Sequence, residues 1–140
     1  MGIRIAKKRL DRVKRQLRRI TRRNRGRSIE NVLDELNPLI RGWVNYFALA
    51  DAKKHMQTLD EWMRRRLRQV LWKQWKTPAN RQRNLRVRGV TEYWAIRTGG
   101  TSKGCWRLSA SPPLHQALNN AYWRELGLES FAQQYQLRHT

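Results

Sequence analysis

The chain has 140 residues, 31 Lys/Arg against 10 Asp/Glu, and a formal net charge of +21, which is enough length for one domain or a small bundle with an appended tail. A 39% hydrophobic content with seven Trp excludes a disordered basic tail, and the single Cys105 excludes a disulfide framework or a Cys-based zinc site. No apolar run approaches the roughly 18 residues of a spanning helix, and residues 1–27 are too charged for a signal peptide.

Residues 1–27 carry 13 Lys/Arg against one acid, Asp11. They predict a helix: Leu10, Val13, Leu17 and Ile20 recur at helical spacing as one apolar stripe. At 100° per residue, Lys8, Arg12, Arg15, Arg19 and Arg22 fall on the opposite side. This Arg-rich stretch shares features with a transit peptide, but its stripe continues into a patterned bundle. Asn24-Arg25-Gly26-Arg27 reads as the stop, with Gly26 suited to a left-handed cap. Ser28 can cap a second helical stretch carrying Ile29, Val32, Leu33 and Leu36.

Asn37-Pro38 reads as a break and a fresh start, with Asn37 as N-cap and Pro38 at the first helical position. From there Leu39, Ile40, Trp43, Val44 and Phe47 continue an apolar face, and Gly42 can let a neighbouring backbone approach. Residues 28–51 hold one base, Arg41, against four acids. This is the expected buried centre, with Trp43 and Phe47 as its large core anchors.

A third helix is expected from Ala52 to Lys76. Met56, Leu59, Met63, Leu67 and Val70 form its stripe, Lys54, Arg65, Arg68 and Lys76 lie opposite, and Thr77-Pro78 ends it. Residues 52–88 hold 12 bases against Asp60 and Glu61. Beyond them the pattern weakens. A short helix is expected over Arg81–Arg88, stopping at Gly89, and another from Thr91 through Arg97. Gly99–Gly104 reads as a flexible loop, Cys105–Leu108 as a short strand, and Ser111-Pro112 as the start of a helix closed by Gly127. A last amphipathic turn carries Leu128, Phe131 and Tyr135.

The predicted fold is therefore all-α: a small antiparallel bundle of three main helices over residues 1–78, with a loop-rich, partly helical C-terminal extension over residues 79–140. Two basic segments flank a near-neutral one, and self-repulsion disfavours such a compact state unless a polyanion neutralises it. Phosphate backbones are the usual partner. The candidate contacts are Lys8, Arg12, Arg15, Arg19 and Arg22 on the first helix, and Lys54, Arg65, Arg68 and Lys76 on the third. Arg predominates in both, which suits bidentate phosphate contact. Trp72 projects with Arg65 and Arg68, where it can stack on a base. The favoured reading is that it packs, with Trp75, against a tail whose Trp94, Trp106 and Trp123 also need partners. Lys103 adds a basic loop residue, although its Gly-rich surroundings lack P-loop spacing.

Catalysis finds little support. The carboxylates are scattered, Asp60 and Glu61 diverge by about 100° on a helix, and no nucleophile–base set stands out. His55, His115 and His139 share no ligand spacing, so neither metal nor cofactor is expected. A soluble cytoplasmic protein with no membrane partner follows.

The wording of the chain then becomes informative. Leu36-Asn37-Pro38-Leu39-Ile40-Arg41-Gly42-Trp43-Val44-Asn45-Tyr46-Phe47 resembles the signature of the maturase-specific domain of group II intron-encoded proteins, also called domain X or the thumb. Leu59–Arg68 and Trp72–Lys76 resemble the helix that follows it. Asn84-Leu85, Gly89-Val90, Ser102–Ser109, Ala117–Asn120 and Gly127-Leu128 extend the resemblance through the tail. The resemblance implies a helical thumb that grips intron RNA and a template–primer duplex, promotes intron folding and splicing, and supports homing of the mobile element. It implies intron RNA as partner, with an RNA/DNA duplex or a DNA target as further nucleic-acid partners. The family's fingers and palm, with their metal-binding Tyr-x-Asp-Asp box, would precede residue 1, so DNA synthesis is not implied and no enzyme is expected. Two alternatives remain at this stage: a split subunit supporting reverse transcription in trans with a separately encoded palm, and a generic basic structural RNA-binding protein of ribosomal type.

Overall fold

The computed structural model describes residues 6–22 and 26–139. Among these residues the fold is all-α, without strands. In chain order the helices are α1 (Lys7–Ile20), α2 (Ile29–Phe47), α3 (Lys53–Trp75), α4 (Pro78–Val87), α5 (Glu92–Gly99), α6 (Cys105–Leu108), α7 (Pro112–Ala117), α8 (Asn120–Glu125) and α9 (Phe131–Leu137). They form two compact units. One gathers α1, α2, α3 through Met63 and the tail from Gly127; the other runs from Arg64 to Leu126. The division between these units falls inside α3, and the last helix groups with the first two.

In the first unit, α1 buries Val13 and Leu17 completely. Thr21 ends it by donating its hydroxyl to Leu17 O at 2.6 Å. The helix thus stops short of the expected Asn24–Arg27 stretch, of which Asn24 and Arg25 lie outside the described residues; Gly26 has φ +66° but, six residues past Ile20, it does not cap α1. Ser28 caps α2 as expected, its Oγ accepting from Asn31 N at 3.2 Å.

The break expected at Pro38 does not occur, because α2 runs unbroken through it. An interior proline forfeits one helical hydrogen bond and costs about 3 kcal/mol. The offset is a continuous apolar face, with Ile29, Val32, Leu33, Leu36, Ile40, Val44 and Phe47 all buried. Asn37 is consequently no cap. Its Nδ2 donates to Gly127 O at 2.8 Å and its Oδ1 accepts from Glu129 N at 2.9 Å, while Arg41, one turn on, pairs with Glu129 at 2.8 Å.

Asp60, on α3, is buried and faces the start of α9. Its carboxylate accepts from Ser130 Oγ at 2.6 Å, Phe131 N at 2.7 Å and Ala132 N at 3.0 Å. Ser130 Oγ in turn accepts from Gln133 N. The first-turn N–H groups of α9, which no helical carbonyl can reach, are thereby satisfied. At the other end of α9, the Tyr135 hydroxyl donates to Ala50 O and accepts from Ala52 N.

The second unit wraps residues 64–75 of α3 with the short helices α4–α8. Leu67, Val70, Trp72, Leu85, Ala95, Leu114, Leu118 and Trp123 are its buried anchors. Thr77 caps α4 through Asn80 N. Gly99 belongs to the end of α5 rather than to a flexible loop. A Cβ there would lie 2.6 Å from Gln82 Cγ, 3.2 Å from Pro78 O and 3.3 Å from Gln82 N, so α4 and α5 approach closely only because residue 99 has no side chain. Cys105–Leu108 is a helical turn, not a strand. The helix expected from Ser111 to Gly127 divides at Leu118, because Asn119 starts α8 by accepting from Tyr122 N at 2.9 Å.

Two substitutions test this account. Asp60→Ala removes the acceptor for the start of α9 and should lower the unfolding free energy by about 3 kcal/mol. Gly99→Ala should cost about 1–3 kcal/mol through forced separation of α4 and α5. Urea melts of both variants measure this, and unchanged midpoints would contradict it.

Candidate nucleic-acid interface

Helix α1 has a sided charge pattern because its apolar spacing fixes which residues must turn inward. With Val13 and Leu17 buried, Lys8, Arg12, Arg15 and Arg19 fall on the exposed side, and Arg22 follows just beyond the helix, also exposed. Among the described residues no carboxylate engages Lys8, Arg12 or Arg15. The α1 residues nearer the core have aromatic company instead: the Lys14 ammonium lies 5.8 Å and the Arg18 guanidinium 5.4 Å from the Trp62 ring centroid.

Beside this row, α1 and α2 line an open groove of about 380 Å³. Arg9, Arg12 and Gln16 border it from α1, and Pro38, Gly42, Trp43 and Tyr46 from α2. Trp43 is half-buried rather than a sealed core anchor. It stacks on Phe47 at 5.4 Å, and its Nε1 donates to Gln16 Oε1 at 2.7 Å. Tyr46 is 56% exposed, with the Arg9 guanidinium 5.7 Å from its ring centroid. Phe47 is the buried member of the three.

The expected basic face of α3 divides differently. Lys54 is exposed, as is Lys76, which ends the helix at φ +63°. Arg65 and Arg68 turn inward in the second unit. Arg65 lies 3.8 Å from the Trp106 ring centroid and donates to Ser109 Oγ at 3.1 Å and Trp106 O at 3.0 Å. Arg68 is buried and donates to Leu118 O at 2.9 Å, a carbonyl released where the helix divides. Burial, with the Arg64 charge adding to it, pulls the Arg68 pKa down to about 10. Partial burial, together with Arg68, Arg64 and Arg65, lowers the His115 pKa as well. Trp72 is completely buried, with its ring 6.0 Å from Trp75 and the Arg81 guanidinium 4.7 Å from its centroid. Packing therefore claims Arg65 and Arg68, which turn away from the outward face expected of them, and Trp72 takes the packed role rather than the stacking one. The periodicity of α3 alone did not carry the partners that meet this phase: Trp106 and Ser109 for Arg65, Leu118 O for Arg68, and Arg81 of α4 for Trp72. Lys103 is exposed.

Sequence reasoning missed Arg9, Gln16 and Tyr46. The available signal was Tyr46 itself, a large aromatic lying off the buried stripe of its helix. On α5, Tyr93 and Trp94 are likewise exposed.

The fold and this surface define a class: a strongly basic all-α module. Among the described residues no three His, Cys, Asp or Glu side chains converge on a metal site, and no helix is long and apolar enough to cross a membrane. The chain belongs to the group II intron maturase-specific domain family, whose model matches residues 10–94. That span covers α1 from Leu10 through α4 and the start of α5. Membership gives the chain a maturase-related role in group II intron splicing, and the matched region is the maturase-specific domain rather than a polymerase palm. No curated protein matches the chain.

If Arg65 holds α6 in place, Arg65→Ala should lower the unfolding free energy by about 2 kcal/mol through lost hydrogen bonds and ring stacking. A denaturant midpoint equal to that of the unaltered protein would return Arg65 to the solvent.

Proposed function

We propose that this chain is an RNA-binding maturase module that holds group II intron RNA along the exposed basic row of α1 and favours the intron's splicing-competent fold, without a catalytic centre of its own. One observation carries the reading. Lys8, Arg12 and Arg15 share the exposed side of α1, with no carboxylate engaging them among the described residues. Such a row gains free energy when it meets closely spaced phosphates and releases their counterions. Phosphate contacts of this kind position an RNA without reading its sequence. Family membership supplies the kind of RNA. Lys54, Lys76 and Lys103, exposed elsewhere, extend the positive field that steers a polyanion toward the chain. Arg19 and Arg22 lengthen the row.

Salt-titrated binding to a group II intron RNA, beside an unrelated structured RNA of equal length, tests the proposal. If about 6–10 phosphates are engaged, affinity should fall on the order of 10³–10⁵-fold between 50 and 200 mM salt. The intron RNA should remain the tighter ligand at the upper end. Arg12→Ala combined with Arg15→Ala should leave the thermal melt unchanged and reduce the salt slope by about 2. Equal affinity for both RNAs would leave only a generic polyanion binder, and an unchanged slope would move the contact away from α1.

A further inference from the structure

The groove between α1 and α2 combines features that a phosphate-binding row does not need. A tyrosine hydroxyl can reach a phosphate, but phosphates make no use of its ring face, and Tyr46 lies 56% exposed beside Arg9 and Arg12. The ring is held from behind, with Trp43 at 5.5 Å and Phe47 at 5.1 Å, both edge-on. Trp43 borders the same groove, its indole held by the hydrogen bond to Gln16. That bond uses one lone pair of the Gln16 carboxamide oxygen and leaves the amide's two N–H donors available. The volume, about 380 Å³, falls toward the small end of the roughly 300–1,000 Å³ range of small-ligand pockets. Nothing lies within 4 Å of a Cβ placed on Gly42, which leaves the α2 side of the groove open.

An aromatic wall, an amide donor and two guanidinium groups at the rim match one chemistry: a planar, hydrogen-bonding base attached to a phosphate. We infer that the α1–α2 groove takes a single unpaired base of the bound RNA, stacked on Tyr46, with Arg9 and Arg12 on its flanking phosphates. This rests on the RNA-binding reading above and adds to it a preference for RNA with a splayed-out nucleotide. A continuous duplex keeps its bases stacked inside and offers the groove nothing to hold.

The test uses the full chain and two RNAs of equal length, a stem-loop carrying 2-aminopurine in its loop and a fully paired duplex, with adenosine monophosphate as a third ligand. The stem-loop should bind about tenfold more tightly than the duplex, a ratio equivalent to 1.4 kcal/mol, and its fluorescence should be quenched on binding. Tyr46→Ala should remove that tenfold advantage and the quenching while leaving duplex affinity unchanged, and Tyr46→Phe should keep both. Gly42→Leu fills the groove from a helical position with room for the side chain. It should match Tyr46→Ala in binding without lowering the melting temperature, which separates loss of the site from loss of the fold. Equal losses on both RNAs, or no loss for either variant, would overturn the base site while leaving the phosphate reading intact. Adenosine monophosphate binding as tightly as the stem-loop would overturn it in favour of a free-nucleotide site. Failure to bind either RNA near 150 mM salt would overturn both readings together.

Discussion

The first unit depends on a buried carboxylate. Asp60 accepts three hydrogen bonds at the start of α9, and a lone buried charge would be costly without them. Those bonds hold the last helix of the chain against an element some seventy residues earlier. Asn37 and Arg41 secure the stretch just before α9, and Tyr135 secures the connection between α2 and α3. With α9 in place, Phe131 and Tyr135 are buried alongside the apolar face of α2. Were it released, that face of α2 would meet water.

Surplus positive charge is the second constraint. With 31 bases and 10 acids, most cations cannot find a carboxylate. Both units set cations over aromatic rings, with Lys14 and Arg18 over Trp62 in the first. In the second, arginines turn to carbonyls and indoles: Arg65 to Trp106, Arg68 to Leu118 O, Arg81 to Trp72, and Arg88 to Trp75 and Tyr122. An aromatic face attracts a cation without itself bearing charge, which accounts for part of the Trp content. In the first unit, Lys8, Arg12 and Arg15 are left to solvent. Repulsion among exposed cations is tolerable in water and salt, and a polyanion relieves it further.

Much of this could be read from residue order. The apolar stripes of α1, α2 and α3 give the helices and their buried residues, because 3.6-residue periodicity depends only on neighbours in the chain. Ser28 as a cap follows from local chemistry in the same way. The misreadings share one cause, contacts that are distant in sequence. Pro38 signals a break locally, but burial of Leu36, Ile40, Val44 and Phe47 together overrides it. Arg65 and Arg68 read as solvent-facing until Trp106, Ser109 and Leu118 are brought against them. Residues 105–108 alternate weakly enough to suggest a strand, and Arg65, 40 positions upstream, binds the turn they form. The groove was invisible for the same reason, since its two walls come from different helices.

The density of the Asn37–Phe47 motif now has a physical explanation. Successive residues of a helix are turned by 100°, so three partners around one helix draw on interleaved positions. Leu36, Ile40, Val44 and Phe47 go to the core. Asn37 and Arg41, four apart, go to the tail at Gly127 and Glu129. Pro38, Gly42, Trp43 and Tyr46 go to the groove facing α1. Hardly a position is left as plain solvent surface, so a substitution almost anywhere in the run disturbs the core, the tail or the groove. Pro38 fits this arrangement: it lacks a backbone N–H, and its ring, lining an open groove on the outside of the helix, shapes the wall. A helix serving one partner could vary on its far side; α2 has no such side over this stretch.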